Sequence, residues 1–107
     1  MAEIDAGLLT RALSLPPGGQ GELAVRVGNR AASPIRGEAQ LLSPFGSWGA
    51  VRPWTRGFAV SPGRDITLRY HVTVPADTRL GTQWWILLKL MYFGRLCYTD
   101  CVPVSIV

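Results

Sequence analysis

A regular alternation of apolar and polar residues constrains this chain more than any other feature. Between Ile66 and Val74 every second residue is apolar or aromatic, and polar or charged residues fill the positions between them. The same period of two occurs at Leu23, Val25 and Val27. Successive side chains of a strand point to opposite faces of its sheet, so this period indicates strands that bury one face. Both segments are therefore predicted to be half-buried strands.

The spacing of turn residues extends this prediction along the chain. Residues 35–41 also alternate, and short clusters of Gly, Pro, Asn, Asp and Ser separate the apolar segments, none of which has helical periodicity. A strand is expected over residues 8–15. A final hairpin is expected from Trp84 to Phe93 and from Leu96 to Val107, turning at residues 93–95. We predict an all-β fold, an immunoglobulin-like or fibronectin-like antiparallel β-sandwich of about seven strands.

Length and alternation together predict the core. A chain of 107 residues that is 48% hydrophobic has room for one core, so residues 1–107 are predicted to form a single domain. The residues that are predicted to point inward are Leu23, Val25, Val27, Leu68, Tyr70, Val72, Ile86 and Leu88.

The charge pattern argues against two classes of partner. The net charge is +4, but the basic residues are spread from Arg11 to Arg95 without a run, which does not favour nucleic acid. The most apolar run, from Trp84 to Met91, is interrupted by Lys89 and is shorter than the ~20 residues of a spanning helix, so no membrane segment is expected. The opening MAEIDAG has no basic region followed by an apolar stretch, so we expect no export signal within this sequence.

The residues that carry chemistry are few and scattered. His71, the single histidine, falls on the polar face of its strand, and the carboxylates do not pair in the sequence. The glycines of residues 18–21 precede a strand and lack the Lys-Ser/Thr ending of a phosphate loop. Cys97 and Cys101 are expected to be free thiols, because four residues of extended strand hold their Cα atoms about 13 Å apart. We predict no catalytic residue, no cofactor and no metal site, and hence a protein that is not an enzyme.

An aromatic segment, SPFGSWGAVRPWTRGF from Ser43 to Phe58, has two interpretations. Trp48 and Trp54, with Arg52 and Arg56, either form a platform for a carbohydrate or cover apolar surface at a domain edge. Sugar sites combine aromatic stacking with several hydrogen-bonding side chains, and the segment contains no Asn, Gln, Asp or Glu. The composition favours the covering role.

The strand that begins at Trp84 is predicted to be apolar on both faces. If Ile86 and Leu88 point inward, then Trp85, Leu87, Met91 and Phe93 lie with Lys89 on the outer face. Either another domain or subunit covers this outer face, or the segment from Ser43 to Phe58 folds over it. Trp48, Arg52, Trp54, Arg56, Trp85, Leu87 and Met91 are therefore the candidate interface or carbohydrate contacts.

Three stretches carry a resemblance to a known family. GELAVRVGN, SPGRDITLRYHVTVPADTRLG, and YFGRLCYT followed by VPVSIV resemble the NPCBM-associated α-galactosidase-type domain, an immunoglobulin-like module of bacterial glycoside hydrolases. The resemblance covers residues 21–107. PFGSW and WWILLKLMYFGR are also similar to the terminal β-domain of bacterial α-mannosidase-like enzymes, whereas CYTDC departs from the family pattern.

This resemblance implies a non-catalytic accessory module of a larger bacterial glycoside hydrolase, whose catalytic residues lie in another domain. Its expected role is domain packing or protein–protein interaction, and the alternative is carbohydrate binding through the loop tryptophans. The expected partner is a neighbouring catalytic domain or another subunit. The compartment, secreted or cytoplasmic, would follow from the parent chain.

Overall fold

The computed structural model of the chain describes residues 3–43 and 55–107, and only the backbone of residues 51 and 52. Its described part contains strands and turns, and no helix there is long and apolar enough to cross a membrane. The strands are β1 (Ile4–Leu8), β2 (Leu13–Leu15), β3 (Gln20–Asn29), β4 (Ile35–Leu42), β5 (Val51–Arg52), β6 (Thr55–Val60), β7 (Asp65–Thr73), β8 (Gln83–Tyr92), β9 (Arg95–Tyr98) and β10 (Val102–Ile106).

These strands form two sheets. One has four strands in the order β1-β3-β7-β5, and the other has six, in the order β2-β10-β8-β4-β6 with β9 beside β8. The described pairs are antiparallel except that of β2 with β10, which is parallel. The two sheets enclose one hydrophobic core. The predicted all-β immunoglobulin-like sandwich is confirmed.

The core follows the alternation of the sequence. Each of the residues predicted to point inward is buried, and the most exposed of them, Leu68, is only 5% exposed. Tyr70 lies at the centre of β7, and its buried hydroxyl donates to the Ala39 carbonyl oxygen of the other sheet at 3.0 Å. Burial raises the pKa of Tyr70 to about 12. The phenol therefore stays protonated and joins the two sheets with a hydrogen bond.

The first strand differs from its prediction. The expected strand over residues 8–15 is wrong: β1 ends at Leu8, and the chain crosses to the other sheet before β2 begins at Leu13. The backbone N–H groups of Leu9 and Thr10 both donate to the Ala24 carbonyl oxygen, and the Ala24 N–H donates to the Thr10 hydroxyl. These bonds replace a regular ladder at the crossing, so one apolar stretch supplies strands to both sheets.

The final hairpin forms as predicted, but with a tighter turn. Phe93 and Gly94 have φ angles of 49° and 76°, the left-handed pair that a two-residue hairpin turn requires. Arg95, expected in the turn, instead pairs with Tyr92 as the first residue of β9.

A bulge divides the returning strand of this hairpin into β9 and β10. Tyr98 pairs with Lys89, but Val102 pairs with Ile86, so the returning strand has one residue more than β8 over this interval. This division, the split first strand and the short β5 explain why the described part contains ten strands where about seven were predicted.

Two residues outside the alternating pattern shape the end of the sandwich near β4. The Asn29 side chain, 2% exposed, donates to the carbonyl oxygens of Ser33 and Val60 and accepts from the Ala31 N–H, so its amide organises the turn between β3 and β4. At Gly37, a Cβ atom would collide with the Met91 carbonyl oxygen and the Phe58 ring. Glycine there lets the Phe58 ring lie against the backbone of β4.

Candidate interaction face

The outer face of the four-stranded sheet is built for contact with water. Arg26 of β3 pairs with Asp5 of β1 at 3.0 Å and with Asp65 of β7 at 3.3 Å, while Arg69 pairs with Glu22 at 2.6 Å. Hydrogen bonds from Arg26 and then Arg30 lower the pKa of Asp5. Charged side chains thus link neighbouring strands across this face, as expected for a solvated surface.

The outer face of the six-stranded sheet has the opposite character. Along β8 the residues between the buried positions are Trp85, Leu87, Lys89 and Met91, and of these Trp85 is 40% exposed. The strand register adds Leu42 beside Leu87, Leu96 beside Met91 and Tyr98 beside Lys89. Together the apolar members form a surface that we call the apolar face: Leu42, Trp85, Leu87, Met91, Leu96 and Tyr98.

Polar side chains border the apolar face on its β4 side. Lys89 pairs in register with Gln40, and Glu38 pairs with Met91. The pKa of Glu38 is lowered, first by a hydrogen bond from the Thr55 hydroxyl at 2.7 Å, then by Gln40, and to a smaller degree by the charge of Lys89. Glu38 and Gln40 thus form a polar border along β4, whereas Lys89 lies among the apolar residues, between Leu87 and Met91.

The candidate contact residues of the sequence do not form one group in the structure. Trp85, Leu87 and Met91 share the apolar face, in the orientation that their alternation with Ile86 and Leu88 predicts. Arg56 pairs with the buried Ala39, and its Nη1 donates to the Arg69 carbonyl oxygen of the other sheet at 2.7 Å. Arg56 thus bridges the two sheets, away from the apolar face.

The remaining candidates fall on the segment between β4 and β6. The backbone of Arg52 pairs with His71 through β5, and its side chain is outside the described residues. Trp48 and Trp54 lie outside them as well. Whether these tryptophans cover apolar surface or stack on a sugar stays a prediction of the sequence, as does the contact role of all the candidate residues.

Sequence reasoning missed three members of the apolar face, namely Leu42, Leu96 and Tyr98. Leu96 and Tyr98 are 58% and 57% exposed, and each lies beside an outward residue of β8. The signal was available in the Phe93-Gly94 dipeptide: once a two-residue turn sets the register, RLCY places its first and third residues inward and its second and fourth outward.

In the described part of the chain, the titratable groups that come together are those of the surface ion pairs. His71 is exposed on the charged outer face, opposite Glu22. Among residues 3–43 and 55–107 no group of His, Cys, Asp and Glu has the arrangement of a metal site. Cys97 and Cys101 are free, as predicted. The surface with the clearest functional character among the described residues is therefore the apolar face.

Cys97 and Cys101 also lie on opposite faces. Cys97 pairs with the buried Leu90 and Val102 pairs with the buried Ile86, so Cys97 and Val102 both occupy inward positions. In a regular strand, residues four apart share a face, but the extra residue of the bulge reverses this relation. Cys97 consequently packs against the core, whereas Cys101 is exposed.

Two packed sheets with this strand order define an immunoglobulin-like β-sandwich domain, and solved structures with the same fold occur in varied settings. The sequence matches no known protein family and no curated protein. A family 123 glycoside hydrolase from Clostridium perfringens is similar over 99% of this chain and 27% of its own length, with a TM-score of 0.73 and 7% identity. The chain thus spans about a quarter of that enzyme.

Two human structures match over most of their own length. A chain of the complex between zinc 2-glycoprotein and prolactin inducible protein from seminal plasma is similar over 97% of this chain and 93% of that one, with a TM-score of 0.68 and 10% identity. The PapD-like domain 7 of CEP192 is similar over 98% of this chain and 85% of its own, with a TM-score of 0.65 and 8% identity. At such identities the likeness shows a shared fold.

Proposed function

We propose that this chain is a non-catalytic accessory β-sandwich that docks against a neighbouring domain or subunit through its apolar face. The observation that carries this proposal is the contrast between the two outer faces. One is covered by ion pairs that include Arg26–Asp5 and Arg69–Glu22, and the other presents Trp85, Leu96 and Tyr98 to the surface. A sandwich that is surrounded by water on both sides has no use for contiguous apolar surface, which in soluble proteins usually marks a contact.

The proposed parent is a bacterial glycoside hydrolase, with residues 1–107 forming one accessory domain. The similarity of the GELAVRVGN, SPGRDITLRYHVTVPADTRLG and YFGRLCYT stretches to the NPCBM-associated α-galactosidase-type domain supports this parent. The fold shared with part of a family 123 glycoside hydrolase is consistent with it. An α-mannosidase-like enzyme is the parent that we favour, on the similarity of the PFGSW and WWILLKLMYFGR stretches. In that setting the module supports the catalytic domain and contributes no catalytic residue.

Hydroxyl-radical footprinting can test the docking role. The 107-residue chain would be labelled alone and again joined to the segments that its gene encodes on either side. Trp85 and Met91 both lie on the apolar face and have readily oxidised side chains. Trp85 is exposed and Met91 is half-buried, so a docked partner should lower the labelling of both several-fold. His71, an oxidisable side chain on the charged outer face, is the matched control and should label equally in both proteins.

The outcomes are distinct. Protection of Trp85 and Met91 without protection of His71 supports docking through the apolar face. Equal labelling of all three residues in both proteins contradicts it, and protection confined to His71 would move the interface to the four-stranded sheet. If the gene encodes no glycoside hydrolase domain beside this chain, the proposed parent is wrong, whatever the footprint shows.

A further inference from the structure

One edge of the six-stranded sheet is half occupied. β9 and β10 follow one another along the same edge of β8. On the side of β10 that faces away from β8, β2 pairs with residues 104–106. Within the part of the chain that the structure describes, no strand pairs with the far side of β9. With respect to residues 3–43 and 55–107, the edge of residues 95–98 is therefore open to a further strand.

The hydrogen bonds of the hairpin identify the groups at this edge. The Thr99 N–H donates to the Leu88 carbonyl oxygen and the Leu88 N–H donates to the Thr99 hydroxyl, so residues 88 and 99 occupy a hydrogen-bonded position of the ladder. Such pairs alternate along an antiparallel ladder, which makes Leu90 and Cys97 the next one. The N–H and C=O groups of Leu96 and Tyr98 consequently point away from β8, towards the open edge.

This edge is protected only in part: β9 has four residues and the charged Arg95 stands at an inward position beside Tyr92. Sheet edges are commonly blocked by proline, by lysine or by charged side chains that point inward. Here the residues whose backbone groups reach the edge are Leu96 and Tyr98, both exposed and both apolar enough to pack against an added strand. The bulge at residues 99–101 also limits the edge, since it ends the regular strand after Tyr98.

We propose that β9 pairs with β9 of a second copy of this chain, antiparallel and across a two-fold axis beside Cys97. In this register Leu96 lies opposite Tyr98 of the second copy, and Tyr98 lies opposite its Leu96. Each of the edge N–H and C=O groups then has a partner, giving one short continuous ladder between the copies. This pairing uses the strand edge and goes beyond the proposed docking of the apolar face.

The side chains favour a second copy as the occupant. A two-fold axis at Cys97 places a leucine against a tyrosine twice, the aliphatic–aromatic combination that stabilises cross-strand pairs. Arg95, which pairs with Glu3 of its own copy at 3.6 Å, lies opposite Thr99 of the other copy and next to its Asp100. Lys89 and its equivalent are separated by three strand spacings, about 14 Å, which exceeds the screening length at physiological salt. The apolar side chains of the edge thus match those of a second copy, and no like charges face each other closely.

Disulfide trapping tests the register. Directly opposed residues of a non-hydrogen-bonded pair have Cβ atoms about 5 Å apart, near enough for two Cys97 thiols to bond when an oxidant removes their protons and two electrons. We would oxidise Cys101→Ser, which retains only Cys97, with copper phenanthroline in air at alkaline pH and measure dimer on non-reducing gels. Cys97→Ser, which retains only the more exposed Cys101, is the matched control.

The expected result is a covalent dimer for Cys101→Ser, with a yield that rises with protein concentration before oxidation, and little dimer for Cys97→Ser. Sedimentation of the reduced chain should show a weak, concentration-dependent dimer, because four hydrogen bonds and four side chains make a small interface. A chain that stays monomeric at every concentration and forms no Cys97 dimer overturns the proposal. So does equal trapping through Cys97 and Cys101.

Two substitutions separate this edge from the rest of the apolar face, to which Leu96 also belongs. Leu96→Lys places a charge at the open edge and should weaken dimerisation about tenfold or more. Trp85→Lys alters the same outer face on β8, one strand away from the paired edge of β9, and should leave dimerisation unchanged. If Trp85→Lys abolishes the dimer and Leu96→Lys does not, the copies associate face to face and the edge pairing is wrong. The footprinting of the longer protein is independent of this result.

Discussion

At the scale of single residues, alternation in the sequence translates directly into burial. Leu68 and Thr67 are neighbours in β7, yet one is buried in the core and the other is exposed on the charged face. The backbone of a strand sends their side chains in opposite directions, so their surroundings are set by the sheet and not by sequence proximity.

Leu68→Ala is expected to lower the free energy of unfolding by about 2–5 kcal/mol, since it removes buried carbon atoms and leaves a cavity between the sheets. Chemical denaturation followed by tryptophan fluorescence measures the change. Thr67→Ala is the matched control and should alter stability by less than about 0.5 kcal/mol. Equal effects at the two positions would contradict the assigned faces.

The two thiols should differ in reactivity towards Ellman's reagent. Burial raises the pKa of Cys97, so at a given pH a smaller fraction of it is thiolate, and its reaction rate should keep increasing as the pH is raised above the ordinary range for cysteine. Cys101 is exposed and should react first. The reaction should therefore have a fast and a slow phase, and the single variants Cys97→Ser and Cys101→Ser show which thiol gives each phase. Both thiols should react at the same rate in denaturant. A faster Cys97 would count against its burial.

At the scale of the strands, local contacts decide where pairing is regular. The bulge after Tyr98 is accompanied by a side-chain bond: the Leu88 N–H donates to the Thr99 hydroxyl, not to the Thr99 carbonyl oxygen. Because the hydroxyl replaces the carbonyl oxygen as the acceptor, the strand can bend while the Leu88 N–H keeps a hydrogen-bond partner. At Gly37 of β4, the absence of a side chain leaves room for the Met91 carbonyl oxygen and the Phe58 ring of the neighbouring strands.

Gly37→Ala is expected to destabilise the fold by about 1–3 kcal/mol, because the added Cβ meets the Met91 carbonyl oxygen and the Phe58 ring. Gly57→Ala is the matched control on the neighbouring strand. A Cβ atom at Gly57 would have as its nearest neighbour only the Gly37 carbonyl oxygen, at 4.0 Å. Thermal unfolding of both variants measures the difference, and a Gly37→Ala protein as stable as the parent would show that β4 and β6 repack easily.

The ion pairs that join β1, β3 and β7 should make stability depend on pH. Hydrogen bonds from Arg26 and Arg30 lower the pKa of Asp5 in the folded chain, so this carboxylate contributes stability above the ordinary aspartate pKa of about 4. The contribution should disappear as the pH falls through the lowered pKa.

Asp5→Asn should therefore flatten the acid side of the stability profile, measured by denaturation at successive pH values. The effect should shrink with added salt, because the pair is partly exposed. Asp77→Asn, at a carboxylate without an ion pair among the described residues, is the control. An unchanged acid slope in Asp5→Asn would contradict the role of this pair.

At the scale of the whole molecule, the sandwich has one charged and one apolar outer face. Both faces are covered by strands of similar alternation, and the difference comes from what the outward positions carry. The charged face has Arg26, Arg69 and Glu22, whereas the apolar face has Trp85, Leu96 and Tyr98. A molecule of this kind is expected to bind proteins and not oligosaccharides.

Titration with mannose-, galactose- and glucose-based oligosaccharides should accordingly give no saturable response. The sequence between β4 and β6 carries Trp48 and Trp54 without nearby amide or carboxylate side chains, which sugar hydroxyls would require. Trp54→Ala should instead lower stability, by about 3–5 kcal/mol if the ring is fully buried. Saturable binding that is lost in Trp48→Ala or Trp54→Ala, without loss of stability, would establish the carbohydrate-binding alternative.

Much of this protein follows from its sequence because the period of two acts locally. The all-β class, the inward residues of β3, β7 and β8, and the hairpin at Phe93-Gly94 all depend on neighbours in the chain, through strand geometry and turn conformation. The thiols are free as predicted, although a bulge lies between them where the prediction assumed a regular strand. The orientation of Trp85, Leu87 and Met91 was predictable for the same reason.

Only the tertiary structure decided which strands lie side by side. It placed residues 4–8 and 13–15 in different sheets, inserted one residue after Tyr98 and brought Leu42, Leu96 and Tyr98 to the face of Trp85. These outcomes depend on pairing between segments that are distant in the chain, and no local period encodes them. The open edge of β9 belongs to the same class, because an edge exists only where the neighbouring strand ends.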